Sequence, residues 1–207
     1  MSGDARIRRY RPADLDALYR ICLLTADNGQ DASQLYPDGY LPGHLFAAPY
    51  GLFEPALAFV AEDADGVAGY VLGALDTGAF ERRLERDWWP RLRGRYPDPP
   101  RCEQLSLPPQ LLAREIHHPF RAPAELTRRF PSHLHIDLLP RQQGRGLGRG
   151  MIARLTAELR DRGSDGVHLG TSEHNRRAVG FYHHLGFTLV ASPDSFRIFG
   201  LDLHDQR

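Results

Sequence analysis

The sequence contains no lysine, since all 26 of its basic side chains are arginine. Its acidic side chains also number 26, so the formal net charge is zero and no overall field attracts nucleic acid or an anionic membrane. The two cysteines, Cys22 and Cys102, have no spacing typical of a zinc site or a disulfide framework. No apolar run is long enough to span a bilayer, and the first residues lack a secretory signal pattern. We therefore expect a cytoplasmic protein with neither membrane nor nucleic acid among its partners.

The length of 207 residues suits one domain with a sizeable core, which we predict to span 1–207. Hydrophobic patterns predict strands at 5–11, 56–62, 67–75, 133–138, 167–170, 187–190 and 196–203. They predict helices at 12–24, 80–92, 111–116, 147–160 and about 176–185. Segment 25–55 is rich in glycine, proline and aromatic residues, and either lines a pocket or only packs its own aromatics. Segment 81–131 is predicted to be an insertion between the third and fourth strands.

The stretch 133–160 organises the chain as a strand, a glycine-rich turn and a helix. Gly144, Gly146, Gly148 and Gly150 lack the Cβ that would keep a ligand away from the backbone. A helix that begins there directs unpaired N–H groups and the positive end of its dipole towards the turn. With Arg145 and Arg149 adding charge, the pattern predicts a phosphate or pyrophosphate site. A Walker loop is excluded because it needs lysine, and a Rossmann fingerprint would begin too far beyond the strand.

Two motifs carry a resemblance to a known family. Arg141-Gln142-Gln143-Gly144-Arg145-Gly146 resembles the Arg/Gln-x-x-Gly-x-Gly/Ala coenzyme A signature of the GCN5-related N-acetyltransferases (GNAT). Further along, residues 175–187 resemble the Asn-x-x-Ala-x-x-Phe-Tyr-x-x-Leu-Gly-Phe segment of the same family. Three central stretches, 25–31, 53–60 and 116–119, also resemble the acetyltransferase-like C-terminal domain of O-GlcNAcase. Such domains can keep the fold and lose the activity, so a catalytically silent acetyl-CoA-binding module stays open as an alternative.

The resemblance implies an α/β fold. Its twisted mixed sheet of about seven strands is flanked by helices and splays apart between strands 4 and 5. Acetyl-CoA would lie in that gap, against backbone groups of the fourth strand and amides of the glycine turn. The implied cofactor-binding residues are Ile136, Leu138, Leu139, Arg141, Gln143, Gly144, Arg145, Gly146, Leu147, Gly148, Arg149, Asn175 and Tyr182.

The reaction implied is acetyl transfer to a primary amine, which needs a proton donor for the departing thiolate and a base for the amine. Tyr182 matches the family tyrosine that protonates the thiolate, and phenol and thiol pKa values are close enough for that transfer. Its alternative role is that of an amphipathic core residue. Asp137 is the first candidate base and His135 the second, because both lie on the fourth strand beside the gap. An Asp137 that is only packed or ion-paired is the alternative.

The acceptor is predicted to be a cationic small-molecule or peptide amine. Segment 25–55 should lie over the open end of the gap, and it carries Asp27, Asp31, Asp38 and Glu54 with no basic side chain except His44. Acidic and aromatic groups attract cations, which makes Asp27, Asp31, Tyr36 and Tyr40 the candidate acceptor contacts.

Two further patterns are weighed and set aside. His133, His135 and Asp137 face one way on a strand, but three ligands on one strand converge poorly, so no metal is expected. Arginines around Trp88, Trp89 and Tyr96 are typical of single-strand nucleic-acid binding. Because acids interleave with those arginines, we favour surface ion pairs on a helix that is solvated or contacts a second copy in a homodimer.

Overall fold

The computed structural model describes residues 5–100 and 108–204. Its centre is a seven-stranded sheet in the order β1-β2-β3-β4-β5-β7-β6. The strands are β1 Arg6–Arg9, β2 Ala58–Asp63, β3 Gly66–Ala74, β4 Ser132–Leu138, β5 Gly166–Ser172, β6 Thr188–Ala191 and β7 Phe196–Asp202. Neighbouring strands are antiparallel except β4 and β5, which run parallel. The predicted mixed α/β fold is confirmed.

The helices of the described residues cover both faces of the sheet. They are α1 Leu15–Leu23, α2 Leu41–Phe46, α3 Ala48–Phe53, α4 Thr77–Asp87, α5 Trp89–Arg93, α6 Pro108–His117, α7 Ala124–Arg129, α8 Leu147–Asp161 and α9 Arg176–His184. Apolar side chains of α1 to α6 share one core with β2 and β3. Those of α8 and α9 form a second core on the opposite face. Helices α4 to α7 occupy the segment between β3 and β4 and include the stretch expected to be an insertion. None of the described helices is long and apolar enough to cross a membrane.

The stretch predicted as one helix over 80–92 is two helices, so that prediction is wrong. Helix α4 ends at Asp87, and α5 begins at Trp89 with Pro90 in its first turn. Proline has no N–H for a hydrogen bond within a continuing helix, but it fits the first turn of a new one. The same rule shapes segment 25–55, where α2 and α3 each have a proline near their start. That segment is therefore more regular than its composition suggests.

Strands β4 and β5 separate soon after they meet. Their register pairs only Ser132 with Val167 and His133 with His168, although both seven-residue strands are fully described. By contrast β3 and β4 stay paired over six positions, from Ala74–His133 to Gly69–Leu138. The sheet thus opens between β4 and β5 towards the C-terminal end of β4, where the glycine turn follows.

Candidate active site

Two glycines give the turn after β4 its shape. Gly144 has φ +73° and Gly146 φ +78°, a left-handed backbone that side chains with a Cβ rarely adopt. Gly146 is the N-cap of α8, and the amide of Gly150 makes the first helical hydrogen bond to its carbonyl, at 3.1 Å. The preceding amides, at Leu147, Gly148 and Arg149, therefore have no acceptor within the helix. They and the helix dipole lie at the turn where the sequence predicts an anion site.

A buried carboxylate fixes the base of the turn. The side chain of Asp63, at the end of β2, is fully buried and accepts hydrogen bonds from Arg141 Nε at 2.9 Å and Gln142 Nε2 at 2.7 Å. The Arg141 guanidinium is the main cause that lowers the pKa of Asp63, to about 2. Arg141 was expected to contact the cofactor. In the structure its charge is paired with Asp63, which ties the turn to the β2–β3 hairpin.

The backbone of β4 presents alternate residues to the gap. The amide of Leu139 donates to Ala68 O on β3 at 2.8 Å, and its carbonyl accepts from the Gln142 amide at 2.9 Å. Leu139 thus has both backbone groups paired within the protein, and its contact with the cofactor stays a prediction. Because hydrogen-bonding direction alternates along an antiparallel pair, Ile136 and Leu138 direct their N–H and C=O groups away from β3, into the gap. These two residues keep the role that the sequence predicts for them.

A side-chain bridge crosses the gap beside the turn. Gln143 Nε2 donates to the gap-facing carbonyl of Leu138 at 2.6 Å, and Gln143 Oε1 accepts from Arg177 of α9. Nearby, Arg149 Nη2 lies 2.7 Å from His184 Nε2. The bridge gives the Leu138 carbonyl a partner where β5 has turned away. Neither Arg177 nor His184 was predicted from the sequence, because both lie on α9 and meet the turn only in the fold.

Tyr182 enters the site from α9. The helix is held at its start by Asn175, whose Oδ1 accepts from the Ala178 amide at 3.1 Å, and Gly186 follows its end at φ +87°. The Tyr182 ring is 7% exposed and packs against Phe187 and Phe199. Burial, and secondarily the charge of Asp137, raise the pKa of the phenol, so it stays protonated at neutral pH. Within the described residues its hydroxyl has no hydrogen-bond partner.

The opposite face of the sheet supplies the two candidate bases. Tyr70 Oη donates to Asp137 Oδ2 at 2.5 Å, and a nitrogen of the His135 ring, Nε2, lies 3.0 Å from the same oxygen. The Asp137 side chain keeps 19% of its exposure and that of His135 30%, so both are partly accessible to solvent. Cys22 of α1 completes this group, with its Sγ within 4.8 Å of the donor atoms of both. His133 is not part of this group, and its Nδ1 lies 2.9 Å from the Thr77 hydroxyl.

Comparison with known proteins agrees with this geometry. A model of the acetyltransferase (GNAT) family matches residues 117–187. The crystal structure of a protein named SsHAT superposes with a TM-score of 0.89 at 39% sequence identity, covering 97% of this chain and 99% of that one. The chain belongs to the GNAT family.

Two further proteins resemble this GNAT protein, one in sequence and one in fold. Protein O-GlcNAcase of Rattus norvegicus is 28% identical over 193 residues, covering 92% of this chain but 21% of that protein. The chain thus spans about a fifth of the length of that curated relative. YncA of Salmonella typhimurium, solved with its cofactor acetyl-CoA, has a TM-score of 0.57 at 18% identity, covering 99% of this chain and 96% of that one. At that identity, the likeness to YncA is one of fold alone.

The candidate acceptor contacts of this GNAT protein separate into two places. Tyr36 is buried, and its pKa is raised by that burial, by Cys22 and by Asp27, which lie near it. Asp31 is exposed and accepts hydrogen bonds from the amide and hydroxyl of Ser33, at 2.8 and 2.6 Å. Tyr40 is 53% exposed and stands against Tyr19, with ring centroids 5.1 Å apart. Asp27, through Tyr36, and Tyr40, through Tyr19, thus both lie towards the Cys22 group, whereas Asp31 bonds to Ser33.

The expectation of an acidic mouth without basic groups needs correction. Asp38 Oδ2 accepts from Arg95 Nη2 and from Tyr96 Oη, each at 2.7 Å. Arg95 follows α5, so the fold brings a cation that segment 25–55 itself lacks. His44 cannot add charge at neutral pH, because burial lowers its pKa to about 4.

In the described part of the arginine–aromatic stretch, up to residue 100, the aromatic side chains are too buried to stack on bases. Trp88, Trp89 and Tyr96 are all less than 10% exposed, and Trp88 Nε1 donates to the carbonyl of His44 at 2.9 Å. Several arginines around them are paired, among them Arg93 with Glu85 at 2.7 Å. These aromatic residues belong to the core formed with α1 to α3.

Proposed function

We propose that this GNAT protein transfers the acetyl group of acetyl-CoA to a primary amine by direct attack in a ternary complex. One observation carries the proposal. The sheet opens beside the predicted anion site, and Tyr182 packs on one face of the sheet while Asp137 bonds to Tyr70 on the other. Thioester aminolysis needs such an arrangement, because the amine must lose a proton on one side of the carbonyl while the sulfur gains one on the other.

The cofactor would be held chiefly by backbone groups. Its pyrophosphate would accept hydrogen bonds from the amides at the start of α8, and Arg145 and Arg149 would add charge. The gap-facing N–H and C=O groups of Ile136 and Leu138 could hydrogen-bond the amides of an extended pantetheine arm, as a neighbouring strand would. Gln143 would release the Leu138 carbonyl as the arm enters. Asn175 stands at the start of α9, beside the same opening.

The chemical step then balances without a covalent enzyme intermediate. A cationic amine first releases one proton to solvent, and the neutral nitrogen then attacks the thioester carbonyl, whose developing oxyanion can be met by a gap-facing N–H of β4. Asp137, directly or through a water, accepts the proton that the amine loses, and the C–S bond breaks. Tyr182 donates its hydroxyl proton to the departing sulfur. The products are the N-acetylated amine and the free thiol of coenzyme A.

Tyr70 and His135 would tune the base. Both contact Asp137 Oδ2, so they orient the carboxylate and leave Oδ1 for the amine or for a bridging water. His135 also stacks against Phe46, with ring centroids 5.9 Å apart, which limits its rotation. His135 is the second candidate base, acting through its own ring nitrogen.

The acceptor that we propose is a cationic amine on a small molecule or peptide. Asp27 and Tyr36 are its preferred contacts, because they lie on the Cys22 side of the gap. Asp31 and Tyr40 are weaker candidates, since Asp31 is tied to Ser33 and Tyr40 stands against Tyr19. The acceptor is not a lysine of this chain, which has none.

The test is turnover of acetyl-CoA against a panel of amines and peptides. Acetylated product and free coenzyme A thiol are both quantified, with thioester hydrolysis in the absence of amine as the blank. We expect equal amounts of the two products with at least one cationic amine. Calorimetric binding of acetyl-CoA with no product from any amine would instead favour a catalytically silent acetyl-CoA-binding module. Absence of binding would refute the cofactor assignment itself.

A further inference from the structure

Three side chains that ligate metals converge beside the gap, and they come from two elements. Cys22 lies on α1, while His135 and Asp137 lie on β4. One donor atom of each, the Cys22 Sγ, a His135 ring nitrogen and an Asp137 carboxylate oxygen, lies within 4.8 Å of the other two. His133, the third candidate ligand on the strand, is instead bonded to Thr77. The sequence argument against a metal considered three ligands on one strand. In the fold, Cys22 of α1 takes the place of His133 beside the other two.

The spacing of these donors suits a tetrahedral ion. With bonds of about 2.3 Å to sulfur and about 2.1 Å to nitrogen and oxygen, tetrahedral ligand atoms lie roughly 3.4–3.6 Å apart. His135 Nε2 and Asp137 Oδ2 lie 3.0 Å apart, so an ion between them would replace this contact and separate the two atoms by about 0.4 Å. The Cys22 Sγ lies within 4.8 Å of a donor atom of each of these two residues. Cys22 is 2% exposed, whereas the side chains of His135 and Asp137 keep 30% and 19% of their exposure, so the fourth position would lie on the side of these two that solvent can reach.

The donor set selects among metals. A thiolate and an imidazole disfavour Mg²⁺ and Ca²⁺, which prefer all-oxygen ligands. Cysteine, histidine and carboxylate are the three ligand types that Zn²⁺ uses, and a three-ligand protein site leaves one position for water. Tyr70 Oη, which donates to Asp137 Oδ2, already orients that ligand.

We propose that Cys22, His135 and Asp137 form a Zn²⁺ site at the mouth of the gap, with water as the fourth ligand. Binding replaces the thiol proton of Cys22, so one proton is released to solvent for each ion bound. The site stands on geometry and does not depend on the proposed reaction. One consequence does rest on that function: an ion there occupies the lone pairs of both candidate bases, so Zn²⁺ would inhibit acetyl transfer.

Cobalt provides the direct test, because Co²⁺ takes tetrahedral zinc sites and reports its ligands by absorbance. The protein carrying Cys102→Ala has Cys22 as its one thiol and is titrated with Co²⁺ after reduction and removal of metal. We expect a thiolate-to-cobalt charge-transfer band, intense visible bands of four-coordinate cobalt, saturation at one ion per chain, and loss of the bands on adding Zn²⁺. No thiolate band in this folded protein would overturn the site.

Ligand variants in the same background extend the test. Cys22→Ser keeps the side-chain size in the core, and His135→Gln keeps a polar group at the gap. Each variant should weaken Zn²⁺ binding at least a hundredfold, because it removes a ligand. Removing only a residue that hydrogen-bonds to a ligand typically lowers metal affinity roughly ten- to hundredfold. Zn²⁺ affinity equal to that of the parent in either variant, with a cooperative thermal transition retained, would contradict the assignment. Failure of Zn²⁺ to inhibit acetyl transfer while the cobalt bands are present would count against the base roles rather than against the metal site.

Discussion

A matched pair of glycine substitutions separates backbone strain from cofactor binding at the turn. Gly146 begins α8 at φ +78°, and Gly163 follows its other end at φ +84°. A Cβ added at either position would meet no atom within 4 Å. Gly146→Ala and Gly163→Ala therefore impose the same kind of strain without a steric clash in the free protein. They differ in that only the first stands at the proposed pyrophosphate site.

The expected loss of stability follows from the backbone alone. A left-handed conformation costs a residue with a Cβ about 1–2 kcal/mol. For a domain of this size, such a loss lowers the melting temperature by roughly 2–8 °C. Both variants should show a decrease in this range in thermal denaturation without ligand.

Acetyl-CoA should then distinguish the two variants. At a hundredfold excess over its dissociation constant, a ligand stabilises the folded protein by about 2.7 kcal/mol. If the new methyl at position 146 weakens binding tenfold, the same concentration stabilises Gly146→Ala by about 1.4 kcal/mol. Gly163→Ala should retain the full gain. The assay is the melting-temperature increase on adding acetyl-CoA, with calorimetry for the dissociation constants.

Two results would refute this reasoning. Equal stabilisation of both variants by acetyl-CoA would remove the turn from the cofactor site. No loss of stability in Gly146→Ala without ligand would contradict the left-handed conformation from which the anion site is built.

Three further predictions concern carboxylates. Asp137→Asn should lower kcat by about two to four powers of ten and leave the acetyl-CoA dissociation constant unchanged. Product formation over time gives kcat, and calorimetry gives the dissociation constant. Retention of full kcat would exclude Asp137 as the base. Asp63→Ala leaves Arg141 and Gln142 without their acceptor and should lower the free energy of unfolding by about 1–3 kcal/mol, measured by urea denaturation. The folded-state pKa of Asp63 is about 2, below the ordinary value of about 3.9. Its contribution to the free energy of unfolding is therefore complete above about pH 4 and is lost as pH falls towards 2. An equal loss of stability in Asp63→Ala at pH 2 and at pH 7 would contradict this. Asp27→Asn should raise the KM for a cationic amine without changing acetyl-CoA affinity, whereas Asp31→Asn, tied to Ser33, serves as the comparison and should change that KM less.

The parts of the fold that could be predicted from sequence are those with strong local patterns. Consecutive residues show three such patterns: the alternation along β4, the glycines before α8, and the capped helix that carries Tyr182. Their pairing into a sheet that opens between β4 and β5 came from family resemblance. A proline can also mark the start of a helix, as Pro90 does for α5. The sequence nevertheless predicts one helix there, because the apolar pattern continues across Trp88 and Trp89.

The side-chain partners that define the site could not be predicted in the same way. Asp63 pairs with Arg141, and Arg95 with Asp38, across long stretches of sequence. No local pattern brings Cys22 to Asp137, because that contact depends on how α1 packs across β3 and β4. Counting the charges of segment 25–55 alone therefore overestimated the negative charge at the acceptor mouth, because it left out Arg95.

The most direct test of the central claim compares turnover of Tyr182→Phe with that of a control that also removes one tyrosine hydroxyl. Tyr10→Phe is that control, since Tyr10 is 7% exposed and follows the edge strand β1, three strands away from the gap. With the amine that the parent acetylates, Tyr182→Phe should bind acetyl-CoA as the parent does. Its kcat should fall by roughly two to four powers of ten, and that of Tyr10→Phe should stay near the parental value. A Tyr182→Phe protein whose turnover equals that of the parent at every pH would contradict the mechanism.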